Sequence, residues 1–150
     1  MLNLTVVLPS HTKLGGILLD RCYYNLKEKV NEHLNSINHR VCLTMNFWTN
    51  ITSDPVVVYM GINNKYAYFI DLVYTKAQLH TGEWILEDIS CILDGANCNI
   101  VGVVTNNTSA NRKAWGILQG IYPKLFFHGC VCHALHLVVK DIEASFTFNK

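Results

Sequence analysis

Charge is scarce in this chain. Asp, Glu, Lys and Arg make up 15% of the residues and leave a formal net charge of +1. No field of one sign covers the molecule, so nothing in the composition recruits a polyanion or a membrane surface, and any such partner has to meet a local patch. Long apolar runs are also missing, and none approaches the ~20 residues of a membrane-spanning helix. The first nine residues carry no basic leader and too short an apolar core for a secretory signal, which points to a compartment where thiols stay reduced. Proline is rare, three in 150 residues, and no low-complexity tract, internal repeat or linker breaks the pattern. What remains is a chain half of whose residues are hydrophobic, enough for one sizeable core and too apolar for disorder.

Cysteine, by contrast, is present six times, at positions 22, 42, 91, 98, 130 and 132. Most of these lie in apolar runs, where a free thiol behaves as a small buried hydrophobe. The Asn-x-Ser/Thr triplets at Asn3, Asn50, Asn106 and Asn107 would matter in a secreted protein and read here as chance matches.

Periodicity divides the chain into nine elements. Leu19, Cys22, Tyr23, Leu26, Val30, Leu34 and Ile37 form one stripe of an amphipathic helix, expected to lie across a sheet, with Ser10 or Thr12 as cap and Asn38 as stop. Val41 to Trp48 reads as a first strand. Val56–Ile62 and Tyr66–Tyr74, separated by Asn63-Asn64-Lys65, read as an antiparallel hairpin beside it. Thr81 caps a helix with Glu83 in its first turn and Ile85, Ile89, Ile92 and Leu93 on its buried side, ending at Asp94-Gly95. Ile100–Thr105 is a Val-rich run suited to a strand buried on both faces. Ser109 then caps a helix whose Ala114, Trp115, Leu118 and Ile121 share a face, closed by Gly120 and Pro123. A short strand over Lys124–His128 precedes a last helix from about Gly129. Val131, Ala134, Leu135, Val138, Val139 and Ile142 form its apolar side, and Cys130, His133, His136 and Lys140 fall towards the other. An antiparallel trio followed by alternating strands and helices predicts an α/β fold: a mixed five-stranded sheet, three strands antiparallel and then two parallel, with helices on both faces. One domain spans 1–150, with residues 1–38 as a helical segment packing on a sheet-and-helix core of 39–150.

In such a sheet the crevice beyond the carboxyl ends of the strands is where a site collects; Asn106 and Asn107 fall there after the Val-rich strand, and Asn46 falls at the end of the first strand. An acid in place of Asn46 or Asn106 would suggest metal chemistry; a neutral amide is the residue of turns and helix caps, where its side chain bonds nearby backbone. Trp48 beside that crevice is a candidate nucleic-acid contact, with core packing as the favoured account of so large a side chain. Arg112 and Lys113 at a helix start, with Lys76 and Lys124, are candidate phosphate contacts or a solvated helix surface. Cys130, Cys132, His128, His133 and His136 carry donors that zinc prefers. Their spacing is not that of a zinc finger, and packing or a helix-start hydrogen bond is the simpler account of Cys130 and His133.

Five stretches carry a family resemblance: Leu8-Pro9-Ser10 with Leu18-Leu19-Asp20; Asn46-Phe47-Trp48-Thr49-Asn50; His80-Thr81; Val103-Val104-Thr105-Asn106-Asn107 with Ala114-Trp115; and Gly129-Cys130-Val131-Cys132-His133-Ala134-Leu135 with Lys140-Asp141-Ile142. Over almost its whole length the chain resembles the ribonuclease H-like catalytic core of hAT-superfamily transposase-like proteins, of the plant and fungal type labelled a domain of unknown function. The resemblance implies a nuclear protein of transposon descent, a DNA substrate, and paired Mg2+ or Mn2+ in active relatives. Those relatives carry Asp where this chain has Asn46, two residues before Trp48-Thr49, and Asp where it has Asn106. Their third acid, a Glu, follows a helical insertion beyond the cysteine-histidine motif; Glu143 comes too early and reads as a solvated helix-end charge. Two-metal phosphodiester chemistry needs carboxylates, and an amide oxygen supplies the shape without the charge. The expectation is therefore a degenerate, truncated and inactive domain that binds no metal cofactor and at most binds DNA weakly or a protein partner. An active nuclease rebuilt around Asp54 or Asp71 is the rival.

Overall fold

The computed structural model of the chain describes residues 9–36, 40–75, 81–96 and 98–147. It divides into two compact units, Met1–Ser36 and Ile37–Lys150. The first contains a short turn α1 (His11–Lys13), a π-type segment Leu14–Leu18 and the long helix α2 (Leu19–Ser36). Ser10 is the cap: its backbone is extended and its hydroxyl accepts from Lys13 N at 3.3 Å. The chain kinks at Gly16, whose φ and ψ of −111° and −114° are not helical. Leu8 and Asn38 lie outside the described residues, as do Lys76 and His80.

The second unit is built on β1 (Val41–Thr49), β2 (Pro55–Ile62), β3 (Ala67–Tyr74), β4 (Ile100–Thr105) and β5 (Phe126–Gly129), in the order β3-β2-β1-β4-β5. β1–β2 and β2–β3 are antiparallel, β1–β4 and β4–β5 parallel. This is the ribonuclease H-like α/β sheet that the sequence predicts. The hairpin turn has a local cause. The Asn63 side-chain oxygen accepts from Lys65 N at 2.9 Å and Tyr66 N at 2.7 Å, closing the chain on itself before β3 begins.

Alternation decides which face each strand buries. Val41, Leu43 and Met45 of β1 are buried, while Cys42 and Thr44 between them are half-buried. Leu43, Met45, Val57, Tyr59 and Val103 meet Ile85 and Ile89 of α3 (Gly82–Gly95) and Ala114 and Leu118 of α4 (Ser109–Ile121) in one core. Each such side chain contributes about 1.5–3 kcal/mol by leaving water. α5 (Val131–Thr147) starts at the opposite face, the face of Thr44, Asn46 and Val104.

Several sequence expectations shift. Thr108, not Ser109, caps α4: Thr108 is extended and its hydroxyl accepts from Asn111 N, placing Ser109 inside the first turn. The buried side of α4 is Asn111, Ala114 and Leu118, whereas Ile121 is 55% exposed because the helix ends there beyond the core. β5 begins at Phe126 rather than Lys124. The carbonyls of Pro123 and Leu125 accept from the Gln119 side chain, and Leu125 N is tied to Tyr122 O, so this stretch closes a turn and the ladder starts after it. The largest difference is in α5. Leu135, Val138, Val139 and Ile142 are all at least half exposed, and the half-buried residues are His133 and Ala134. Among the described residues the helix is covered only in its first turn, at His133 and Ala134, and the apolar row beyond that turn is exposed. Cys22, Cys91 and Cys132 are exposed too, so half of the thiols are not the buried hydrophobes that their apolar neighbours suggest.

Candidate functional site

The carboxyl ends of β1 and β4 are adjacent because the two strands pair in parallel, with Leu43 opposite Val103 and Thr44 opposite Val104. Beyond them opens a cleft of ≈ 440 Å³. Thr44, Met45 and Asn46 line it from β1, and Val104, Thr105 and Asn106 from β4 and its exit. Cys130, Cys132, His133 and His136 close it from the start of α5. Asn46 and Asn106 thus share one cleft, as do Cys130 and His133.

Backbone capping does not use these two amides. Among the described residues neither the Asn46 nor the Asn106 side chain has a hydrogen-bond partner, so the turn-and-cap reading fails for both. Capping falls to their neighbours. Thr108 caps α4, and Asn111, fully buried, donates from Nδ2 to Asn106 O at 2.8 Å. Asn107 donates from Nδ2 to Cys130 O at 2.9 Å, and Cys130 N donates to Thr105 O at 2.7 Å. These contacts fix the backbone at the mouth of the cleft and leave the Asn46 side chain exposed and the Asn106 side chain half-buried on the cleft wall.

Other candidates are placed differently. Trp48 lies further along β1, on the side of Asn46 by alternation, and is 42% exposed rather than packed in the core. Arg112 is exposed on the first turns of α4. Lys113 pairs with Glu83, and that ammonium holds the Glu83 carboxyl below its ordinary range. Lys124 sits at the other end of the sheet, on a second pocket of ≈ 420 Å³ lined by Leu93, Ile100, Ile121 and Tyr122. Among the described residues, therefore, Arg112 and Lys113 at the start of α4 and Lys124 at the far end of the sheet do not form one patch. His128 is outside the cleft, stacked on Phe126 with ring centroids 5.8 Å apart.

The acids that could replace the missing ones are also elsewhere. Asp54 lies in the β1–β2 turn, where its carboxylate accepts from Thr52 and Asn50. Asp71 is on β3 opposite Tyr59, and β2 separates that strand from β1. Neither lines the cleft. Glu143 is exposed on α5. Among the described residues, no group of three or more His, Cys, Asp or Glu side chains is placed to hold a metal ion. The cleft offers amides, hydroxyls, thiols and imidazoles, a donor set that does not fit a hard divalent cation such as magnesium.

Sequence reasoning placed Asn107 at the site but missed its bond to the Cys130 backbone, and it missed Thr108, Asn111 and Gly129 as parts of the same framework. The signal was there in part: Gly129 directly precedes Cys130, and a side chain at Gly129 would collide with the Asn107 amide.

No curated protein matches the chain. The family described as a domain of unknown function, DUF659, matches residues 9–150. The match covers most of the chain, and this chain therefore belongs to the DUF659 family, a family associated with hAT-like transposases.

Proposed function

We propose that this is a transposase-derived ribonuclease H-like domain of hAT descent that has lost its metal-dependent chemistry and keeps at most weak nucleic-acid or protein binding. The observation that carries this reading is the absence of any carboxylate from the ten residues lining the cleft. Two anions lost from a site that must offset two divalent ions leave the metals without their main attraction, since amide oxygens carry no charge. No cofactor is expected to bind, and residence in the nucleus is proposed from family membership alone.

Titration with Mn2+ by calorimetry tests this directly. The unmodified chain should give no saturable heat at micromolar to millimolar metal, and it should not nick supercoiled DNA with Mg2+ or Mn2+. Micromolar capture of manganese that is abolished by Asn46→Ala would overturn the reading. Nicking abolished by Asp54→Asn or Asp71→Asn would instead establish the rebuilt enzyme.

A second reading, a protein-interaction module, is favoured by one feature. Val131, Leu135, Val138, Val139, Ile142 and Phe146 expose an apolar row along α5, larger than the scattered apolar residues normal on a surface. Concentration-dependent sedimentation that Leu135→Glu removes would support it.

A further inference from the structure

We propose that Asn107 is the positioning residue of the cleft: its side-chain amide clasps the exit turn of β4 to the exit turn of β5 and thereby sets the wall formed by α5. This goes beyond the proposed function and does not depend on it, because a chain that captured metal would need the same clasp.

Three observations converge on it. Asn107 Nδ2 donates to Cys130 O at 2.9 Å, and Cys130 N donates to Thr105 O at 2.7 Å, so residue 130 is held from both sides through its backbone. Gly129 is buried, and a Cβ there would fall well inside van der Waals contact with Asn107 Oδ1; the amide occupies the space that a glycine leaves. Beyond this point no described residue covers the helix, since every residue from Leu135 to Phe146 is exposed. The first turn is the attachment, and His133 and His136 reach the cleft from it. This gives the Cys130-x-x-His133 motif a division of labour. Residue 130 contributes its backbone to the clasp, and His133 contributes its ring to the cleft.

Asn107→Asp keeps the shape but replaces the donor with a carboxylate facing the Cys130 carbonyl, and Gly129→Ala removes the space. Cys130→Ala removes only a thiol.

Amide exchange measured by NMR on the unmodified chain is the first test. The Asn107 side-chain protons and the Cys130 backbone amide should be protected, while the side-chain protons of Asn46 and Asn106 exchange at solvent rates. In Asn107→Asp, thiol reagents should label Cys130 about tenfold faster, as expected when one half-buried hydrogen bond worth about 1 kcal/mol is lost, with the amides of α3, α4 and the sheet still protected. Cys130→Ala should keep the exchange pattern of the parent. Asn107 side-chain protons exchanging as fast as those of Asn46 would overturn the proposal, as would unchanged Cys130 labelling in folded Asn107→Asp. Should that variant fail to fold, exchange in the parent chain decides alone.

Discussion

Tyr59 is fully buried in the middle of the sheet, and its hydroxyl donates to Asp88 of α3 and approaches Met45 Sδ at 3.1 Å. Burial raises its pKa well above the ordinary 10.0, and the hydrogen bond and negative charge of Asp88, with smaller effects of Asp71 and Cys91, push the same way. The folded state thus holds this proton more tightly than the unfolded chain does. The stability it contributes is complete below pH ~10 and is lost as pH rises above that value. Denaturant midpoints measured from pH 8 to 11 should therefore fall for the parent chain above pH ~10 and fall less for Tyr59→Phe. At neutral pH that variant should be less stable by about 1–3 kcal/mol, since the hydrogen bond is to a charged group. Asn111 makes a second residue-scale case. It is fully buried, its Nδ2 holds Asn106 O, and its Oδ1 has no partner among the described residues. Asn111→Ala should cost about 1–3 kcal/mol in chemical denaturation by freeing the Asn106 carbonyl. Asn111→Asp should cost more, because it buries a charge.

α4 and α5 differ at the scale of the element. Leu118 is fully buried in the core, so Leu118→Ala should destabilise by about 2–5 kcal/mol. Leu135 and Ile142 are 60% and 50% exposed, and Leu135→Lys or Ile142→Lys should change the thermal midpoint hardly at all, within about 0.5 kcal/mol. A large loss at Leu135 would mean that the row is covered in solution. Helical spacing made both rows visible in the sequence, but spacing reports only that a helix has an apolar side. It does not say that the domain supplies something to cover it. The sheet was legible for the opposite reason. In β1 and β4 apolar, β-branched runs are bounded by polar breaks, and strand order follows from short connections. Asn46 and Asn106 were legible as positions because strand ends converge in parallel pairing. Their freedom from the backbone was not, since Thr108, Asn107 and Asn111 compete for the same caps and only geometry shows which of them wins.

The molecule as a whole combines near-neutral charge with dispersed cations. Lys113 is engaged by Glu83, Lys124 lies at the far end of the sheet from the cleft, and Arg112 stands by itself at the start of α4 among the candidate contacts in described residues. Duplex binding draws its affinity from cations that release counterions together, with a salt slope close to one per phosphate neutralised. A surface that brings about one or two cations to the backbone at a time should give a slope of roughly −1 to −2, against about −6 to −9 for a protein making many phosphate contacts. Fluorescence anisotropy with a labelled duplex between 50 and 200 mM salt should accordingly show weak binding that falls only about 4- to 16-fold over that range, and Arg112→Ala should flatten the dependence further. A steep slope would mean that a basic track exists that the described surface does not contain. A flat, weak isotherm that persists with Arg112→Ala would leave DNA out of the protein's work and turn attention to the exposed row on α5.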